Sequence, residues 1–229
     1  MSKIIGENDY IYETIETEED ARTCARLIAD EFSLHNDLTR FDQITPERFF
    51  DDCSWPIVSD MYNEGLCFLA RHRLSNEIVG SLIAGDLYSH AVQTNSTDAS
   101  KTSYTIPLDY LLEEMDELFI KKDFGRELEP NMVLHIEMCA VRAQHSGRKI
   151  ASQILTKACE NARDRRGFQY ALAQVVHDAT RHLFIDKLGG IVLSTIDPKT
   201  WLWKHDDGEC TVPYKDYSGP AIPNVLLQL

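Results

Sequence analysis

Two short patterns in this chain hold residue types able to do chemistry. The first is His135 and Glu137 within the apolar run VLHIEMCAV, Val133 to Val141. In an extended strand, residues two apart point to the same side. An imidazole and a carboxylate would then share one face, with Leu134, Ile136 and Met138 on the other. Such a pair can relay a proton; the same spacing also suits a polar edge or a structural hydrogen bond. The second is Ser146-Gly147-Arg148-Lys149-Ile150-Ala151, which follows the strand and opens a helical pattern. A helix N-terminus presents bare backbone N–H groups that hold anionic phosphate, and Arg148 and Lys149 add positive charge. An ordinary basic turn between strand and helix has the same composition.

The elements around these patterns must position them. Tyr10 to Ile15 alternates apolar and polar residues and reads as a first strand. Glu18–Phe32 places Ala21, Cys24, Ala25, Ile28 and Phe32 at helical spacing, and the polar stretch SLHNDLTRFDQ reads as a link. Thr45-Pro46 is a helix start, with a break expected at Pro56, resumption to Asn63 and a stop at Gly65. Leu66–His72 and Ile78–Leu87 read as a hairpin, and the small polar residues from Gln93 to Ser103 as a mobile loop. Pro107 to Phe124 reads as a helix with one face of Leu108, Leu111, Leu112, Met115, Leu118 and Phe119. Its outer face is acidic: Asp109, Glu113, Glu114, Asp116 and Glu117. After the Val133–Val141 strand come a helix over Ile150–Arg165, a strand over Phe168–Val176 and a short helix over Ala179–Leu188. Strands at Ile191–Ile196 and Val225–Leu229 follow, with a further one expected around Trp201 and Trp203. This order predicts an α/β fold, a mixed sheet flanked by helices on both faces.

Composition bounds the function. The chain has 229 residues and a net charge of −14. That charge argues against nucleic acid and anionic membranes, and it would attract cationic partners such as amines. No apolar run reaches the roughly 18 residues a membrane span needs, and the start MSKIIGENDY does not read as a signal peptide. Six cysteines at 24, 53, 67, 139, 159 and 210 form no CxxC pair, so no metal site is expected. The expected setting is a reduced, cytoplasmic one, and the oligomeric state is left open between monomer and homodimer.

The stretch Met138 to Ala151 resembles the acetyl-CoA-binding motif of the GNAT acyltransferase superfamily. That motif is a strand ending apolar-Ala-Val, then Arg/Gln-x-x-Gly-x-Gly/Ala, then a helix. Met138-Cys139-Ala140-Val141 fills the strand end, Ser146 stands at the Arg/Gln position and Lys149 at the central glycine, while Gly147 and Ala151 keep the small-residue pattern. Asp186-Lys187-Leu188-Gly189-Gly190 resembles the family's Lys-Leu-Gly-aromatic ending, with Gly190 in the aromatic's place. The hairpin with Ile78-Val79-Gly80 fits as well. The resemblance implies a GNAT acyl-CoA N-acyltransferase fold over residues 8–229 as a single domain. It implies two central strands that splay into a V holding acetyl-CoA. Pantetheine would pair with the backbone near Met138, Cys139, Ala140 and Val141. The pyrophosphate would rest on Ser146, Gly147, Arg148, Lys149, Ile150 and Ala151, with Thr180 a further contact.

The pattern His135-Ile136-Glu137-x-x-Ala140-Val141 resembles the arylalkylamine N-acetyltransferases, whose vertebrate branch has two histidines here. The resemblance implies Glu137 as the base, acting through water, with His135 assisting. The tyrosine acid common in the superfamily is replaced by Ile185, and Ser194 and Tyr214 are hydroxyls that spacing does not place. His35-Asn36-Asp37-Leu38 resembles the amine-site segment of insect-type enzymes, and Asp37 could attract an ammonium group. Phe32, Phe41, Trp55 and Tyr62 suit either an acceptor pocket or the core. The expected activity is direct transfer of acetyl from acetyl-CoA to a primary amine, an arylalkylamine by preference. The alternatives are a protein or peptide amine acceptor, and a CoA-binding regulator with degenerate catalysis.

Overall fold

Alternation at the start of the chain produces an outer strand, β1, over Tyr10–Thr14. The computed structural model describes residues 9–95, 107–205 and 208–229. After β1 come α1 (Glu18–His35), α2 (Asp37–Phe41), α3 (Pro46–Phe49) and α4 (Trp55–Met61), then β2 (Phe68–His72), β3 (Ile78–Asp86) and α5 (Leu87–Asn95). Next are α6 (Pro107–Leu118), β4 (Val133–Val141), α7 (Ile150–Arg166), β5 (Tyr170–Gln174) and α8 (Asp178–Arg181). The chain closes with β6 (Ile191–Ile196), β7 (Trp203–Lys204), β8 (Cys210–Thr211) and β9 (Ile222–Gln228). A seven-stranded sheet runs β1-β2-β3-β4-β5-β9-β6, and β7 pairs with β8 in a separate ribbon. Within the large sheet only β4 and β5 pair in parallel, joined by the helical crossover that parallel strands require.

Both faces of the sheet are covered, so β3 is buried along its whole length and reads as a continuous apolar run. On one face, Ile28 of α1, Phe49, Val58, Leu111 and Met115 pack against Ile83 and Met138. On the other, Ile150, Ile154, Leu155 and Ala158 of α7 pack against Val79, Leu82 and Leu134. The close seat of α7 depends on Gly80: a Cβ there would stand 2.9 Å from Ile154 Cδ1 and 3.0 Å from Ile150 Cγ2. That contact fixes where the α7 N-terminus lies.

Several elements depart from the expectations. The polar link after Phe32 is helical: α1 continues to His35, and Asn36 serves both neighbours. Its N–H donates to Phe32 O, and its Oδ1 accepts from the N–H groups of Leu38 and Thr39, so one residue ends α1 and caps α2. The chain does not break at Pro56. A π-helical turn over Phe50–Ser54 precedes α4, and its wider i→i+5 pattern absorbs the hydrogen bond that proline cannot donate. Thr45 caps α3 as expected, and Gly65 takes a left-handed turn, φ 70°. The expected loop from 93 to 103 begins inside α5, and its part from 96 onward lies outside the described residues. Asp116, expected on the outer face of α6, is buried. The strand around Trp201 shrinks to Trp203–Lys204, and the last strand starts earlier, at Ile222. Among the described residues, no helix is long and apolar enough to cross a membrane.

Candidate active site at the parting of two strands

β4 and β5 pair over three rungs only: Val133 with Tyr170, Leu134 with Ala171, and His135 with Leu172. From Ile136 onward β4 keeps β3 on one side, and no strand among the described residues pairs with it on the other. The backbone of Met138, Cys139, Ala140 and Val141 therefore borders a V-shaped opening. β5 turns instead to β9, pairing as far as Gln174 with Asn224.

At the apex the strand is irregular. Ile136 pairs with Ala84 and Met138 with Ile83, so Glu137 is an extra residue on β4, a β-bulge that reverses the alternation beyond it. Leu134 and Ile136 pack toward α7, but Met138 and Ala140 pack toward α1, and Cys139 and Val141 take the α7 side. The expectation that Met138 faces away from His135 is corrected for this reason.

The bulge assembles a buried polar cluster. His135 Nδ1 lies 2.7 Å from Glu137 Oε1 in an ion-pair contact without a hydrogen bond, so charge attraction holds the pair. His135 Nε2 lies 3.1 Å from Gln174 Oε1 and 3.2 Å from Asp116 Oδ1. Gln174 Nε2 donates to Asp116 Oδ1 and to Asn224 Oδ1, and Asn224 Nδ2 donates to Met115 O. His90 of α5 reaches the same cluster, its Nδ1 3.4 Å from Glu137 Oε1. Burial alone would lower the His135 pKa, but the Asp116 and Glu137 carboxylates push it up to about 10. Burial would raise Glu137, yet the His135 charge and contacts from both histidines hold it far below the carboxylate range. His90 is raised chiefly by Glu137, against burial, and Asp116 is raised by burial despite the His135 charge. The donor atoms of His90, His135 and Glu137 lie within 4.8 Å of one another.

The loop after β4 forms a turn over Ala143–His145, then passes through Gly147 at φ 75° and Lys149 at φ 63° before α7 begins at Ile150. Lys149 thus adopts the left-handed conformation that a glycine adopts most easily. Ser146, Gly147 and Lys149 are exposed, Arg148 and Ala151 half-buried and Ile150 buried. The first N–H groups of a 17-residue helix face outward from this turn. Arg148 Nη1 donates to Tyr10 Oη, which also meets His145 Nδ1 at 2.9 Å, tying the loop to β1. Thr180 lies half-buried in α8, on the β5 side of the opening.

Other candidates find different partners. Asp37 sits in the first turn of α2 with Arg40 4.0 Å away. The Ser194 hydroxyl donates to Asp123, and the buried Tyr214 hydroxyl to Asp42, so both are engaged outside the His135 cluster. Ile185 lies in a π-helical turn, packed on the α7 side. Gly190 meets β9 so closely that a Cβ would stand 2.5 Å from Val225 Cγ1, which excludes the family's aromatic there. Phe32, Phe41, Trp55 and Tyr62 are half-buried against the core. Cys139 is raised to about 12 by burial, so it is no ready thiolate.

Residue spacing missed His90, Asp116, Gln174 and Asn224. The one signal available was Asn224, a polar residue inside the apolar strand IPNVLLQ, since a buried amide needs partners. It also missed an acidic cluster, Asp42 and Asp109, beside the buried Tyr214. There Asp109 is pushed up to about 7 by burial, then by Asp42, Glu113 and Asp52. The buried Cys53 thiol, raised first by burial, feels both Asp109 and Glu137.

A mixed sheet whose parallel centre parts beyond His135, with a glycine-containing turn leading into α7, frames this site. Residues 28–189 match the model of the acetyltransferase (GNAT) family, and the chain belongs to that family. Solved structures share the fold at low identity. The C-terminal condensation domain of Ebony in complex with beta-alanyl-dopamine superposes with a TM-score of 0.74 at 15% identity, covering 96% of this chain and 99% of that one. An agmatine N-acetyltransferase gives 0.68 at 19%, over 96% and 100%. Arylalkylamine N-acetyltransferase 2 from Aedes aegypti gives 0.62 at 20%, over 96% and 99%. No curated protein matches the sequence.

Proposed function

We propose that this enzyme transfers acetyl from acetyl-CoA to the primary amine of a small cationic acceptor with an aromatic or other apolar body. The parting of β4 from β5 directly beyond His135 is the observation that carries this reading. In it, pantetheine lies along Met138–Val141, where the strand's free edge offers backbone partners in the manner of an added strand. The pyrophosphate rests on Ser146, Gly147, Arg148, Lys149, Ile150 and Ala151, held by the α7 N-terminus, with Thr180 across the opening. Residues 8–229 act as one domain, since the sheet draws its strands from both ends of that span.

The acceptor enters on the side of Asp42 and Asp109, whose carboxylates attract an ammonium group while the half-buried Phe41 meets its apolar body. Structural neighbours are named for agmatine and for arylalkylamines, amines of this charge and size. The polar cluster that Glu137 and His135 share with His90 takes the amine's proton. The neutral nitrogen then attacks the thioester carbonyl, the C–N bond forms and the C–S bond breaks. With no tyrosine at Ile185, coenzyme A leaves as a thiolate, which thiol acidity allows, and takes up a proton from the product nitrogen through water. No covalent enzyme intermediate is used, because the buried thiols are raised, Cys139 among them. Six free cysteines suit a reducing, cytoplasmic setting.

Thiol release measured across an amine panel, with Glu137→Gln alongside, tests this. Turnover with small cationic amines is expected, reduced about 100-fold or more in the variant while acetyl-CoA binding persists. No thiol release with any amine, despite acetyl-CoA binding, would point to a regulator.

A further inference from the structure

We propose that His90, anchored by Glu137, is the residue that accepts the acceptor amine's proton. This rests on the acetyltransferase reading above and assigns a role within it. Three side chains form the heart of the cluster, and their exposure ranks them. His135 is 2% exposed, Glu137 14% and His90 34%. Of these three, His90 combines contact with the Glu137 carboxylate and the greatest exposure.

The chemistry of the other two argues the same way. Glu137 is flanked by two imidazoles, 2.7 and 3.4 Å away, and a carboxylate so surrounded has little affinity left for another proton. His135 is clasped between Glu137 and Asp116, so its proton is held on both sides. His90 meets Glu137 through Nδ1. The Glu137 carboxylate, in ion-pair range of Nδ1 though not hydrogen-bonded to it, stabilises the imidazolium by charge once it forms.

Among the described residues, the charged groups acting on His90 include Glu137, His135 and Asp116. Glu137 and Asp116 favour its protonated form, while His135, with ring centroids 6.0 Å apart, opposes it. His90 sits on α5, which packs on β3 and β4, so its position follows the bulged strand. In the reaction, neutral His90 takes one proton from the ammonium group and becomes an imidazolium. The freed lone pair forms the C–N bond as the C–S bond breaks. The second nitrogen proton goes to the departing thiolate, and His90 returns its own proton to solvent.

The test compares the unaltered enzyme with His90→Gln and His90→Ala. Each variant is checked first for acetyl-CoA binding by calorimetry, then assayed for kcat/KM against pH. Both variants should bind acetyl-CoA normally and lose about 100-fold or more in kcat/KM, with the acid limb of the pH profile abolished. Added imidazole should restore part of the rate to His90→Ala. In the unaltered protein, NMR titration should place the His90 pKa above the ordinary histidine value, and Glu137→Gln should lower it. A wild-type pH profile and rate in His90→Gln would overturn the assignment while leaving the acetyltransferase reading intact. So would a His90 titration that Glu137→Gln leaves unchanged. Failure of the unaltered chain to bind acetyl-CoA would overturn both.

Discussion

His135 and Glu137 stand 2.7 Å apart, nitrogen to oxygen, on a strand where Glu137 has no residue opposite it on β3. The bulge turns two neighbours on one strand face into a buried ion pair and brings Met138 round beside them. The pair is costly unless complete, since a buried charge without its partner loses several kcal/mol. Asp116, Gln174 and Asn224 complete it from three other elements.

The first prediction concerns pH and stability. The His135 pKa rises from 6.5 to about 10 on folding. A group raised in the folded state contributes fully below its unfolded value, and the contribution is lost as pH climbs through the folded one. The melting temperature should therefore fall between pH 7 and pH 10 through this residue. In His135→Gln that slope should flatten while overall stability drops. A slope identical in both proteins would mean that His135 is not the proton held by the cluster.

Lys149 sets a second prediction. A side chain at φ 63° costs roughly 1–2 kcal/mol relative to ordinary helical geometry. Lys149→Gly should relieve that cost and raise stability by about 1 kcal/mol in thermal unfolding without ligand. The same change removes a cation from the loop, so acetyl-CoA should bind about tenfold more weakly, equivalent to about 1.4 kcal/mol. Unchanged affinity would remove Lys149 from the phosphate site.

Gly80 gives a third. A side chain at this position meets Ile150 and Ile154 at 3.0 Å or less, so α7 must move outward. Gly80→Val should destabilise the fold by about 1–3 kcal/mol through overpacking. It should also weaken acetyl-CoA binding, because the displaced helix N-terminus is the cradle. Calorimetric affinity and melting temperature should change together, and loss of stability at full affinity would separate the helix seat from the cofactor site.

The sequence alone determined the order of elements and the place of the turn that leads into α7. Val133–Val141 is a strand with the bounds its apolar run suggests, and α7 begins at Ile150 and ends at Gly167, because hydrophobic period, caps and glycine act locally. Local pattern also paired His135 with Glu137, since strand geometry places them two residues apart on one side. What it could not supply came from other parts of the chain. The bulge at Glu137 depends on the register against β3, and Met138 changes sides with it. Asp116 turns inward because the protonated His135 beneath it offers a partner that the helical pattern of α6 does not reveal. His90, Gln174 and Asn224 join from α5, β5 and β9, elements distant in sequence that only folding brings beside the pair. Partnership between buried charges is a property of the assembled interior, where low polarity makes each group depend on its neighbours, and only the tertiary structure decides which neighbours those are.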